Sequence, residues 1–147
     1  YEPITYRFSA GVEFIMAGSI PNVEEGRILS NYVRNTISLR LYSNDTTPAD
    51  TFTLAAFTQV AGGGYAAKTL ALASWVVTTG DPSEAEYAEQ EFEFTGTTTA
   101  PGTVYGWYYV DTVTGLYIGG ERFASGITPL TPVAGSKIKI TPIVQAS

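Results

Sequence analysis

The sequence predicts an all-β fold, mainly an antiparallel β-sandwich or barrel, with one short N-terminal α-helix. Three observations carry that reading. Apolar and polar residues alternate with period two in several short runs, clearest in Ile37-Ser38-Leu39-Arg40-Leu41-Tyr42 and Lys137-Ile138-Lys139-Ile140-Thr141. Turn-forming clusters rich in Gly, Pro, Asn and Asp separate those runs at short intervals. Helical periodicity is confined to one stretch near the start. At 147 residues with 44% apolar side chains, the chain is long enough for one well-buried core without a metal or disulfide staple.

Residues 1–15 come first, with short extended pieces at Thr5-Tyr6-Arg7-Phe8 and Val12-Glu13-Phe14 around Ala10-Gly11. The only methionine is Met16, so residues 1–15 are either retained from a longer precursor or an extension before a start at Met16-Ala17. We divide the chain into an N-terminal extension or arm, 1–15, and a single β-rich domain, 16–147. The segment is too apolar for a disordered tail, carrying Ile4, Tyr6, Phe8, Val12, Phe14 and Ile15. It has two natural placements: an arm that adds to a neighbour's sheet edge, or an edge strand folded back on its own domain.

The predicted helix starts at Pro21-Asn22, with Glu25 as the capping-box partner, and puts Ile28, Leu29, Tyr32 and Val33 on one face. Gly26 weakens it by about 1 kcal/mol relative to alanine. Strand 37–42 follows and stops at Ser43-Asn44-Asp45. A loop rich in Thr, Pro and Asp leads to Phe52, Leu54 and Phe57, and Gly62-Gly63-Gly64 breaks the pattern. Residues 67–77, with Trp75, read as a strand, and Thr79-Gly80-Asp81-Pro82 as a turn. Residues 87–95 alternate Phe92 and Phe94 against Glu91 and Glu93. Residues 104–110 and 116–123 form a hairpin about a turn at 111–115, and 137–141 is the last strand, closed by Pro142.

Composition excludes much chemistry. With no Cys and no His, there is no zinc finger, no His-ligated metal, no Ser-His-Asp or Cys-His nucleophile and no imidazole acid–base group. A net charge of −6 with only eight scattered Lys and Arg residues opposes binding to nucleic acid or an anionic membrane. No apolar run is long enough for a membrane helix. Charged residues are 15%, low against a usual ~25%, while Gly is 15 and Thr 20, a surface of hydroxyls and small side chains.

Four constellations invite a chemical reading. Glu84, Glu86, Glu89, Glu91 and Glu93 could hold a glycosidase carboxylate pair, yet 89, 91 and 93 alternate with Phe92 and Phe94 as a solvated strand face does. Asn44-Asp45 with Asp50, or Asp81 with Glu84, could hold calcium, but neither has EF-hand spacing and turns use the same residues. Gly62-Gly63-Gly64-Tyr65 lacks the Lys-Ser/Thr of a phosphate loop and reads as a bend or bulge. Tyr105, Trp107 and Tyr109 share one face of a strand whose other face is also apolar. They form either an aromatic row for sugars or a partner, or a central strand buried on both sides. We therefore assign no catalytic, cofactor or metal residues. The candidate partner-binding residues are Tyr6, Phe8, Phe14, Tyr105, Trp107 and Tyr109.

The ordered pattern resembles small virion structural proteins of tailed bacteriophages. It runs through Pro21-Asn22-Val23-Glu24-Glu25-Gly26, Leu39-Arg40-Leu41-Tyr42-Ser43-Asn44-Asp45, Thr47-Pro48, Gly64-Tyr65-Ala66, Leu70 and Trp75. It continues through Val104-Tyr105-Gly106-Trp107, Gly120-Glu121-Arg122-Phe123 and Gly135 to Ile138-Lys139-Ile140-Thr141-Pro142, covering about 17–144. The resemblance implies a non-enzymatic β protein on the particle exterior, a capsid decoration (cement) protein bound to the major capsid protein or other virion proteins. It also implies self-association, a trimer being one option, with no cofactor, nucleic acid or membrane. The alternative is a tail-fibre or adhesin module that binds host carbohydrate through the aromatic face.

Overall fold

The computed structural model describes residues 4–7, 10–12, 26, 29–31, 33–80 and 83–146. Among these the fold is all-β, mainly antiparallel, with eleven strands in two layers. They are β1 Ile4–Arg7, β2 Ala10–Val12, β3 Ile37–Tyr42, β4 Lys68–Leu70, β5 Val76–Thr78 and β6 Ser83–Glu86. Then come β7 Gln90–Glu93, β8 Gly106–Asp111, β9 Tyr117–Arg122, β10 Lys137–Thr141 and β11 Ile143–Ala146.

One layer is a four-stranded antiparallel sheet in the order β4-β3-β8-β9. The other consists of β1-β10-β7 and β2-β11-β6-β5. These are two halves of one bent sheet, because Pro142 alone separates β10 from β11 and only Tyr87, Ala88 and Glu89 separate β6 from β7. Pro142 marks the bend. It has no N–H to offer the ladder, but its C=O still accepts from the Tyr87 N–H at 2.9 Å, so the strand resumes beyond it. The β6–β7 side spends one more residue across the bend than its partner, the geometry of a bulge. The strand 137–141 ends at Pro142 as its sequence indicates, but it is not the last: β11 follows beyond the kink.

Period two decides what fills the core. Ile37, Leu39 and Leu41 of β3 and Trp107 and Tyr109 of β8 point inward from one layer. Phe92, Phe94, Ile138, Ile140, Ala85 and Val144 meet them from the other. Ile138 and Ile140 are buried while Lys137 and Lys139 stay partly solvated, as their alternation requires.

One expectation needs revision and two others are met in part. Residues 67–77 do not form one strand. β4 belongs to one layer and β5 to the other, and a 3-10 turn at Leu72–Ser74 carries the chain across while Trp75 packs into the core. Helical backbone is described only at Gly26 and residues 29–31, where the Val33 N–H donates to the Leu29 C=O at 3.0 Å and Leu29 and Val33 join the core. The rest of the predicted helix lies outside the described residues. Finally, of the two placements open to the N-terminal segment, Ile4–Arg7 and Ala10–Val12 take the second: they pair in parallel with β10 and β11 as edge strands of the domain's own sheets. The boundary placed at residue 16 therefore separates no independent unit in the described fold.

Candidate functional site

The outer face of the β4-β3-β8-β9 sheet is the unusual surface. An outward strand face is normally polar, yet here it presents Tyr42, Tyr108 and Val110, with Tyr105 and Tyr117 beside them. Burial of so much aromatic area needs a cover, and the segment between Ser43 and Val60 supplies it. Its 3-10 turn at Leu54–Ala56 lowers Phe52, Leu54 and Phe57 onto the sheet. Phe57 stacks on Tyr108 at 4.5 Å with ring planes 5° apart, and lies 5.3 Å from Tyr42 and 5.1 Å from Tyr117. Phe52 meets Phe57 edge-on at 5.8 Å.

Polar contacts tie down the ends of this cover. Asn44 Nδ2 donates to the Ala56 C=O at 2.9 Å and its Oδ1 accepts from the Thr58 N–H at 2.7 Å. Arg122 Nη1 reaches Asp45 Oδ1 at 2.6 Å and the Thr46 C=O at 3.0 Å, while its guanidinium lies 4.8 Å from the centre of the Tyr105 ring. Tyr42 Oη donates to the same Thr46 carbonyl at 3.2 Å. Gly106 is required beneath that ring. A Cβ there would collide with the Glu121 backbone carbonyl of β9 and lie 2.5 Å from Tyr42 Oη, so only glycine fits between them. Burial pushes the phenols of Tyr42, Tyr108 and Tyr117 up, so they stay neutral and act as packing groups.

Beside the cover a hollow of about 340 Å³ remains, lined by Phe52, Thr53, Leu54, Ala55, Gly115, Leu116 and Tyr117. No lining side chain is charged. The β8–β9 turn forms its rim and leaves Leu116 62% and Val113 73% exposed. That turn is rigidly built: Asp111 Oδ1 accepts from the N–H groups of Val113 and Thr114 at 2.8 and 3.0 Å, and Gly115 takes φ +70°. The Asn35 amide bonded to Asp111, helped by those N–H groups, holds the carboxyl below its usual range. Such a site has the chemistry to take an apolar side chain. Its polar side chains are the hydroxyls of Thr53 and Tyr117.

The predicted site residues fall elsewhere. Trp107 and Tyr109 are 1% and 0% exposed, facing the inter-sheet core with ring centres 4.7 Å apart. They are corrected from a surface to the centre of the sandwich, because β8 lies between β3 and β9 and is covered on both faces. Tyr105 is half-buried beneath Arg122. The backbone of Tyr6 pairs with Ile140 in register, whereas Phe8 and Phe14 lie outside the described residues.

The carboxylates also have structural partners. Lys137 contacts Glu91 at 2.7 Å and Glu93 at 3.9 Å, and Lys139 contacts Glu89 at 3.4 Å and Glu91 at 3.5 Å. The Lys137 hydrogen bond is the main cause of a lowered Glu91 carboxyl. This is a cross-strand charge ladder, opposite in sign along β7 and β10. Of the calcium candidates, Asn44 and Asp45 are spent on the cover, and Asp81 lies outside the described residues. Among the described residues no group of three or more acidic side chains is placed to hold a metal ion.

Sequence reasoning missed the apolar hollow. The available signal was the apolar outward pair Tyr108 and Val110 on β8, which demanded a cover, with Phe52, Leu54 and Phe57 unassigned to any strand. No family model, curated protein or solved structure matches the chain.

Proposed function

We propose that this protein is a non-enzymatic structural component of a tailed-bacteriophage virion, a decoration protein that binds the outer surface of the major capsid lattice. The proposal rests on the ordered residue pattern from 17 to 144 and on a surface poor in charge and rich in hydroxyls. The structural observation that supports it is the uncharged hollow lined by Phe52, Leu54, Tyr117 and the exposed Leu116. A groove between an aromatic wall and an exposed leucine fits an apolar anchor from a protein partner, the kind of contact that dominates interface energetics. A lattice presents the same anchor at many fixed positions, and self-association of this protein would multiply a modest single contact by avidity.

The test is co-sedimentation of the purified chain with capsids stripped of it. Saturable binding near one copy per capsid subunit, or a simple fraction of that, is the expected result. Leu116→Asp should weaken it at least tenfold, about 1.4 kcal/mol, with the melting temperature unchanged because Leu116 is exposed. Failure to co-sediment overturns the proposal. Binding of the isolated chain to host glycans in its place would favour the adhesin alternative, through a surface other than Trp107.

A further inference from the structure

We propose that the β10–β11 edge is a strand-accepting site that a second copy of this chain can fill. In the structure Ile4–Arg7 and Ala10–Val12 of the same chain occupy it. β1 pairs Ile4 with Ile138 through Arg7 with Thr141, and β2 pairs Ala10 with Val144 through Val12 with Ala146. The register offset is the same on both sides of Pro142, so β10–β11 offers one continuous track in spite of the kink. These are the two parallel pairings in a described fold that is otherwise antiparallel. Strand order leaves β1 and β2 at the edge, hydrogen-bonded to the C-terminal strand and to no other strand of either sheet.

The pairing joins segments separated by almost the whole sequence. Once the rest of the domain is in place, the stretch between β2 and the core residue Leu29 is the tether, and a tether of that length sets the effective concentration of the strand at its own acceptor on the order of millimolar. Contacts of such high sequence separation also form late in folding, after the acceptor edge has been built by β7 and β6. A neighbouring copy supplies the same segment, the same hydrogen bonds and the same register. Exchange therefore costs only association entropy, and it competes once the local protein concentration approaches that of the tethered strand. The stretch between Val12 and the core residue Leu29 sets how far an exchanged strand can reach. The inference does not depend on the capsid reading, since it concerns the chain in solution.

The absence of cysteine gives a direct test. Thr5 and Lys139 are register partners, and so are Gly11 and Gln145. Chains carrying Thr5→Cys alone and Lys139→Cys alone are mixed, unfolded, refolded together from micromolar to millimolar concentration, and oxidised. The Gly11→Cys and Gln145→Cys chains form a second pair, and each double variant serves as the reference for closure within one chain. The expected result is a disulfide-linked mixed dimer whose yield rises roughly in proportion to refolding concentration, with double variants closing internally at the lowest concentrations. Mixed dimer absent at every concentration in both pairs, while the double variants close, overturns the proposal. Failure of both double variants to close also overturns it, because the register itself would then be wrong. Loss of capsid binding with strand exchange intact would remove the functional reading alone.

Discussion

Ile140→Ala tests the layer packing that every other conclusion requires. Ile140 is fully buried between Gln90 of β7 on one side and β1 on the other, and its side chain belongs to the inter-sheet core. The substitution removes three carbons, worth about 0.8 kcal/mol each in lost transfer energy. A residual cavity of roughly 50 Å³ would add about 1.2 kcal/mol. The two contributions together give about 3.5 kcal/mol, inside the ~2–5 kcal/mol usual for such changes. For a domain of this size that is a fall in melting temperature of roughly 7–14 °C, and in urea a midpoint lower by on the order of 1–2 M. Lys139→Ala, one residue away on the opposite face, should change stability by no more than about 0.5 kcal/mol. Urea unfolding of the two variants beside the parent measures both. Equal losses from the two substitutions would refute the register of β10 and, with it, the assignment of an inner and an outer face.

Two further predictions follow from the placement of aromatic and charged groups. Trp75 and Trp107 are the two tryptophans, 9% and 1% exposed. Native fluorescence should therefore be blue-shifted and resist iodide quenching until the chain unfolds; ready quenching in the native state would return Trp107 to the surface. Lys137 holds the Glu91 carboxyl below its usual range, and Glu91 in turn raises the Lys137 ammonium. The carboxylate contributes stability above the ordinary range near 4.5 and loses it as pH falls through the lowered folded value. The ammonium contributes below 10.5 and loses it as pH rises through the raised one. Stability should be flat across neutral pH and fall at both extremes. Glu91→Gln should flatten part of the acid limb, an effect that shrinks in high salt because both groups are exposed; an unchanged acid limb would show that the ladder is not coupled to folding.

Period-two alternation made much of this fold legible. Ile138 and Ile140 against Lys137 and Lys139, and Leu39 and Leu41 against Ser38 and Arg40, needed no neighbours to declare their faces. The hairpin was legible too, because Asp111 and Gly115 carry turn chemistry that acts within five residues. What the sequence left open depended on partners far along the chain. Tyr105, Trp107 and Tyr109 have the same period whether β8 is an exposed edge or a covered centre, and only its position between β3 and β9 decided for burial. Pro142 reads locally as a stop, yet the Tyr87 N–H, supplied from 55 residues upstream, let the strand continue. Residues 4–12 read equally as an arm or an edge strand, since alternation states that a strand wants a partner and not which molecule provides it. The apolar hollow is the clearest case. Phe52 and Leu54 come from the cover, Leu116 from the β8–β9 turn and Tyr117 from the start of β9, and no local pattern links them. Periodicity is a property of a strand alone, whereas a surface site is a property of which strands and loops are brought side by side.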